Sequence, residues 1–178
     1  MSKSTPSHLK QYNIFIQTRT FISRHPAITE FKKMTGQTAR QRFENGYMCA
    51  ESILLSTCEA IGYENPAIPA MATAFCSGTA RTKGICGALQ GAILATSLIH
   101  GRSDSSQCHN KCYELTQKLT EKFVDRYSSR DCFEITGCDL ATKEGQLKFK
   151  ENGIKCKCLG IVEDFTNYTI SLLKAEKE

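Results

Sequence analysis

Apolar residues recur at three- and four-residue spacing along most of the chain, and no stretch shows the strict alternation of a half-buried strand. This period predicts a helix over 8–23 that ends near Pro26, and a second over 27–44 interrupted at Gly36. A third covers 48–61 and stops at Gly62, after which the two prolines of "YENPAIP" mark a connector. A short helix over 67–76 leads into the glycine-containing loop "CSGTARTKG". From about Cys86, "GALQGAILATSLI" is apolar nearly all round, the mark of a buried helix, so it is expected at the centre of the fold and to end at Gly101. Residues 107–127 form an amphipathic helix with Cys112, Leu115, Leu119, Phe123 and Tyr127 on one face. The stretch 128–156 reads as loop-rich with a short helix, and a helix over 158–175 closes the chain. The sum is an all-α fold, a small single-domain helical bundle with long cysteine-bearing loops, preceded by a helical N-terminal extension over 1–35.

Composition narrows the class. With 178 residues, 40% apolar and 23% charged, the chain has enough material for one real core. The net charge of +5 comes from basic residues interspersed with acids, as in "KEGQLKFKENGIKCK", which reads as solvated surface and gives no nucleic-acid footprint. The longest apolar run, 85–99, is broken by Gln90, Thr96 and Ser97 and falls short of the ~20 residues that span a bilayer, so no membrane span is expected. No apolar segment of signal-peptide length opens the chain, so a cytoplasmic location is the expectation. The first 29 residues hold Lys3, Lys10, Arg19 and Arg24 and no acid, a transit-peptide flavour that keeps an organelle matrix as the alternative.

Ten cysteines are the unusual number. In a reducing compartment cysteines are more often metal-binding, catalytic or redox-active than stapled. Cys86, after Arg81, Lys83 and Gly84, opens a helix, where free N–H groups and nearby cations favour a thiolate and a lowered pKa. Gly87 leaves room for an inorganic group or a second sulfur, while Gly91 equally suits close helix packing. The small-residue face that follows Cys86 also suggests a homodimer paired through that helix. Cys49 follows Asn45 and Gly46 at another helix start, Cys132 follows Arg130, and Cys158 is read as opening the last helix beside Lys155 and Lys157. Cys58 sits within an amphipathic helix and reads as core. Cys76, Cys138 and Cys156 are auxiliary thiols or disulfide partners, and Cys108 with Cys112, four apart beside His109, either grip a metal or form nothing. No C-x-x-C occurs, which weakens thioredoxin-type and zinc-ribbon readings. His25, His100 and His109 have no serine or acid at a recognisable hydrolytic spacing, and no glycine-rich nucleotide fingerprint is present.

Cys49, then "CGALQG" with Cys86, then Cys132 before Thr136 and Gly137, then Cys158 ahead of Val162, resemble the redox-active family named for its C, CGAxxG, C and C pattern. The resemblance covers residues 38–170, including "FENGYMCAES" and "CLGIVEDF". It implies a redox domain over 36–178 in which Cys49, Cys86, Cys132 and Cys158 ligate one centre. It also implies a partner protein that exchanges electrons with that centre. Related split-Soret cytochromes carry a two-iron two-sulfur cluster besides haem, so an iron–sulfur cluster leads; haem is not expected here, because its attachment motif is missing. Where the family loop is of a "GFGGG" kind, this chain has "AFCSGTA", with Cys76 at a position where glycine would be expected. Three functions therefore stand side by side: a cluster-bearing electron-transfer or sensing protein, a thiol–disulfide oxidoreductase or sensor, and a zinc-stabilised interaction domain. Under each, Arg81, Lys83 and the backbone of Gly84 and Gly87 surround the thiols.

Overall fold

A computed structural model describes residues 35–151 and 153–176. The expected helix over 8–23, most of the 1–35 extension and the first part of the 27–44 helix lie outside the described residues. Among the described residues the chain is all-α, with helices α1 Gly36–Glu44, α2 Cys49–Ala60, α3 Ile68–Thr73, α4 Cys76–Arg81, α5 Gly87–His100, α6 Asn110–Tyr127, α7 Cys132–Thr136, α8 Lys143–Glu151 and α9 Ile154–Ala175. None of these is long and apolar enough to cross a membrane.

The most enclosed helix is α2 rather than the expected α5. It packs against α1, α3, α5 and α9, and its buried set of Ile53, Leu54, Cys58 and even Ser52, Ser56 and Thr57 runs round the whole helix. Its start is fixed by Glu51, whose carboxylate accepts the Met48 N–H at 2.9 Å and the Thr73 hydroxyl at 2.6 Å. The small face of α5 (Gly87, Ala88, Gly91, Ala92 and Ala95) is buried inside the chain, with Gly91 pressed on α2. A β-carbon at Gly91 would meet the Ala50 carbonyl oxygen at 2.6 Å, so this face serves intramolecular packing and gives no argument for a homodimer.

On the other side, α6 lays Leu115, Leu119 and Phe123, all 0% exposed, onto the core. Phe123 meets Phe165 of α9 edge-to-face at 4.8 Å between ring centroids. Helix α1 docks on α9 at Gly36, whose N–H donates to Asn167 Oδ1 at 2.7 Å. A β-carbon there would overlap the Glu163 carbonyl, which explains why this glycine stands at the interruption read from the sequence.

The stretch 128–156, expected to hold one short helix, holds two, α7 and α8, and two helix boundaries also differ from the sequence expectation. The helix expected over 67–76 stops at Thr73, and the expected loop after it is a turn of left-handed helix: Ser77, Gly78, Thr79 and Ala80 have φ of 56°, 70°, 54° and 52°, with Arg81 at 68°. Side chains other than glycine avoid this region by roughly 1–2 kcal/mol each, so the segment is strained and must be held by its surroundings. Helix α9 starts at Ile154, which puts Cys158 a full turn inside the helix rather than at its opening.

Candidate functional site: a four-cysteine cavity

Each cysteine of the set named from the sequence is delivered by a different segment. Cys49 is the first residue of α2, Cys86 is the N-cap of α5, Cys132 is the first residue of α7, and Cys158 projects from the second turn of α9. All four line one cavity of about 300 Å³, with Arg81 and Lys150 as cations and Phe43, Met48, Leu140 and Phe149 among its apolar walls. Residues as far apart in sequence as 49 and 158 meet there, so the site exists only in the folded chain.

The backbone stitches two of these cysteines together. The Cys86 N–H donates to the Arg130 carbonyl at 2.7 Å and the Cys132 N–H donates to the Gly84 carbonyl at 2.9 Å, an antiparallel clamp centred on Ile85 and Asp131. Gly84 thus acts through its carbonyl. The far end of α7 is tied down by two lysines: Lys157 Nζ donates to the Ile135 carbonyl at 2.7 Å and Lys148 Nζ to that of Gly137 at 2.9 Å.

The left-handed turn forms the adjoining wall; Thr82 Oγ1 donates to its Thr79 carbonyl at 2.8 Å, and Gln90 ties it to the segments on either side. Gln90 Nε2 donates to the carbonyl of Phe75 at 3.1 Å, to Thr79 Oγ1 at 3.1 Å and to the carbonyl of Ile85 at 2.9 Å. Gly78 brings the turn against Cys132, where a β-carbon would stand 2.6 Å from the Cys132 β-carbon. Gly87 makes room in the same way for a sulfur: a β-carbon there would collide with Cys49 Sγ. The motif "CGALQG" therefore combines a thiol, clearance for a second thiol, a clasp for the wall and a helix-packing glycine.

The thiols differ from expectation in their acidity. Cys86 is 7% exposed, and burial pushes its pKa up to about 12, partly offset by the N–H groups of Ala88 and Leu89 and reinforced by Cys132 and Cys158. The lowered value expected from the helix start is overturned, because desolvation outweighs the helix N-terminus. Cys158 is also pushed up to about 12 by burial, next by Cys132, with Lys157 opposing. Cys132 is raised by burial while the Thr136 hydroxyl lowers it. Cys86, Cys132 and Cys158 are thus held as neutral thiols that must lose protons to bind a cation.

The remaining sequence candidates separate. Arg81 lines the cavity, whereas Lys83 lies outside it, paired with Asp139 at 2.8 Å and 5.0 Å over the Phe133 ring. Cys76 lies beside Cys49: Cys49 Sγ and the Cys76 α-carbon both crowd the place a Gly87 β-carbon would take, and the nearness of Cys49, ahead of burial, pushes the Cys76 pKa up. Cys138 is buried and shares a smaller adjoining recess with Cys132, its thiol facing the Thr136 carbonyl at 3.4 Å. Cys156, expected beside the site, is exposed and does not line the cavity. Cys58 is core, as expected, at 1% exposure. Cys108 precedes α6 and is exposed while Cys112 is buried near Ser97, so these two do not share a face.

The family profile described as "Putative redox-active protein (C_GCAxxG_C_C)" matches residues 47–172. The chain belongs to this family. The match runs across all four cavity cysteines, and the C_GCAxxG_C_C pattern is met here by Cys86, Gly87, Ala88 and Gly91, with the first two residues in the order Cys-Gly. No curated protein and no solved structure matches the chain. Gln90, Gly78, Phe149 and Lys150 escaped the sequence reading: Gln90 stands at an x of the motif, and the others lie in segments read as loop.

Proposed function

We propose that this member of the C_GCAxxG_C_C family holds an iron–sulfur cluster on Cys49, Cys86, Cys132 and Cys158 and uses it in electron transfer or redox sensing. The supporting observation is the placement of these four thiols around one cavity of about 300 Å³ rather than about a point. Cluster chemistry calls for four thiolates spread round a body of several atoms. Tetrahedral zinc instead needs its sulfurs converging at about 2.3 Å from one centre. Among the described residues no three Cys, His, Asp or Glu side chains converge in a way that would grip a single ion. The arrangement therefore favours the cluster over zinc.

When bound, the group would take up and release single electrons. The chain's own residues would do the rest. Phe43, Met48, Leu140 and Phe149 exclude water, while Arg81 and Lys150 offset the negative charge of four thiolates and favour the reduced state. The strained 77–81 turn, clasped by Gln90, keeps the wall rigid, which limits reorganisation as the charge changes. Replacement of each cavity cysteine in turn by serine, with iron and acid-labile sulfide measured in every variant, tests the assignment. Loss at 49, 86, 132 and 158 with retention at 58, 108 and 156 is expected; full iron in Cys86→Ser would overturn it.

A further inference from the structure

We propose that Cys49 and Cys76 form a reversible disulfide when a hydroperoxide enters the cavity. The bond would withdraw Cys49 from the four-thiol set. Only this withdrawal rests on the reading above; the disulfide itself does not. Cys49 Sγ and the Cys76 α-carbon both crowd the place a Gly87 β-carbon would take, the latter at 3.2 Å, so the absent side chain is what lets the two cysteines meet. The nearness of the Cys49 thiol, ahead of burial, also pushes the Cys76 pKa up. The two thiols differ in access: Cys49 is half-buried and lines the cavity, while Cys76 is 1% exposed, does not line it, and faces the Ala72 carbonyl at 3.5 Å. Cys76 is thus a thiol outside the four-cysteine set that lies behind one member of it.

That asymmetry sets the order of events. The O–O bond of the hydroperoxide breaks at Cys49, one oxygen adding to its sulfur as a sulfenic acid and the other leaving as water or an alcohol. The Cys76 sulfur then attacks Cys49 Sγ; the S–S bond forms, and the hydroxyl leaves as water with the Cys76 proton. Two thiols lose two electrons in total, and the peroxide bond gains them. A thiol reductant reverses the change.

The test uses the full chain, purified without oxygen, with iron and sulfide assayed before hydrogen peroxide is added. After alkylation, cleavage following Glu, Lys and Arg places Cys49 on peptide 45–51, Cys58 on 52–59 and Cys76 on 65–81, so mass spectrometry reads the pairing directly. The expected product is 45–51 joined to 65–81, lost on treatment with dithiothreitol. In Cys76→Ser the sulfenic acid should instead persist on Cys49 and be captured by dimedone. Cys49 bonded to Cys86, Cys132 or Cys158, or Cys76 still alkylated while Cys49 is oxidised, would overturn the proposal. The joined peptide in protein without iron would sustain the disulfide and remove the cluster; iron without the joined peptide would do the reverse.

Discussion

Adding one methyl group at position 87 separates a chemical role for the motif glycine from a packing role. In Gly87→Ala the new β-carbon would overlap Cys49 Sγ and stand 3.1 Å from the Phe75 carbonyl oxygen and 3.2 Å from the Cys76 α-carbon. Two of those neighbours are backbone at the entry to the strained turn, so the sulfur is the atom that must move. Overpacking of this kind costs about 1–3 kcal/mol. The helix preference of alanine returns less than its interior value of about 1 kcal/mol at the first residue of α5. A net loss of about 1–2 kcal/mol follows, or roughly half a molar in the urea midpoint. Two companions calibrate it. Gly91→Ala puts its β-carbon 2.6 Å from the Ala50 carbonyl oxygen and should destabilise at least as much without moving a sulfur, whereas Gly160 faces open space within α9 and its alanine variant should gain about 0.5–1 kcal/mol. Urea unfolding and the alkylation rate of Cys49 in metal-free protein give the two readouts. Gly87→Ala should change both, and Gly91→Ala only the first. Wild-type stability and Cys49 reactivity in Gly87→Ala would refute the account of the motif.

Gln90→Leu removes the clasp's two N–H donors, one of them shared between two acceptors, and should cost about 1–3 kcal/mol in urea unfolding; a loss under ~0.5 kcal/mol would show that the left-handed turn holds itself. The buried thiols make metal-free protein sensitive to alkali. Cys58 and Cys86 rise from 9.0 to about 12 in the folded state, so their contribution is complete below pH 9 and is lost as pH climbs from 9 towards 12. Each thiol accounts for roughly 1 kcal/mol lost at pH 10, and Cys58→Ala should flatten the profile by about that amount. A profile unchanged in Cys58→Ala would contradict the assigned cause. Cys86→Ser should abolish any visible chromophore while Cys58→Ser leaves it intact, as absorption spectra would report.

The all-α class was legible because burial on one face writes a 3.6-residue period into each segment, as in Leu115, Leu119 and Phe123. The four cavity cysteines were legible through a family resemblance and through their positions at segment starts, which held for Cys49, Cys86 and Cys132 and failed for Cys158. What escaped depends on contacts between distant segments. Nothing local announces a left-handed turn in "SGTAR", since its strain is offset by a glutamine nine residues beyond Arg81. The raised pKa of Cys86 escaped for the same reason: the helix start is local and visible, whereas the burial that outweighs it is supplied by the whole fold.

The most direct test of the central claim is the iron and acid-labile sulfide content of the full chain purified without oxygen, taken with its visible absorption spectrum. The account predicts a coloured protein with iron and sulfide in equal, stoichiometric amounts. A colourless protein with neither, or one carrying zinc alone, would contradict it.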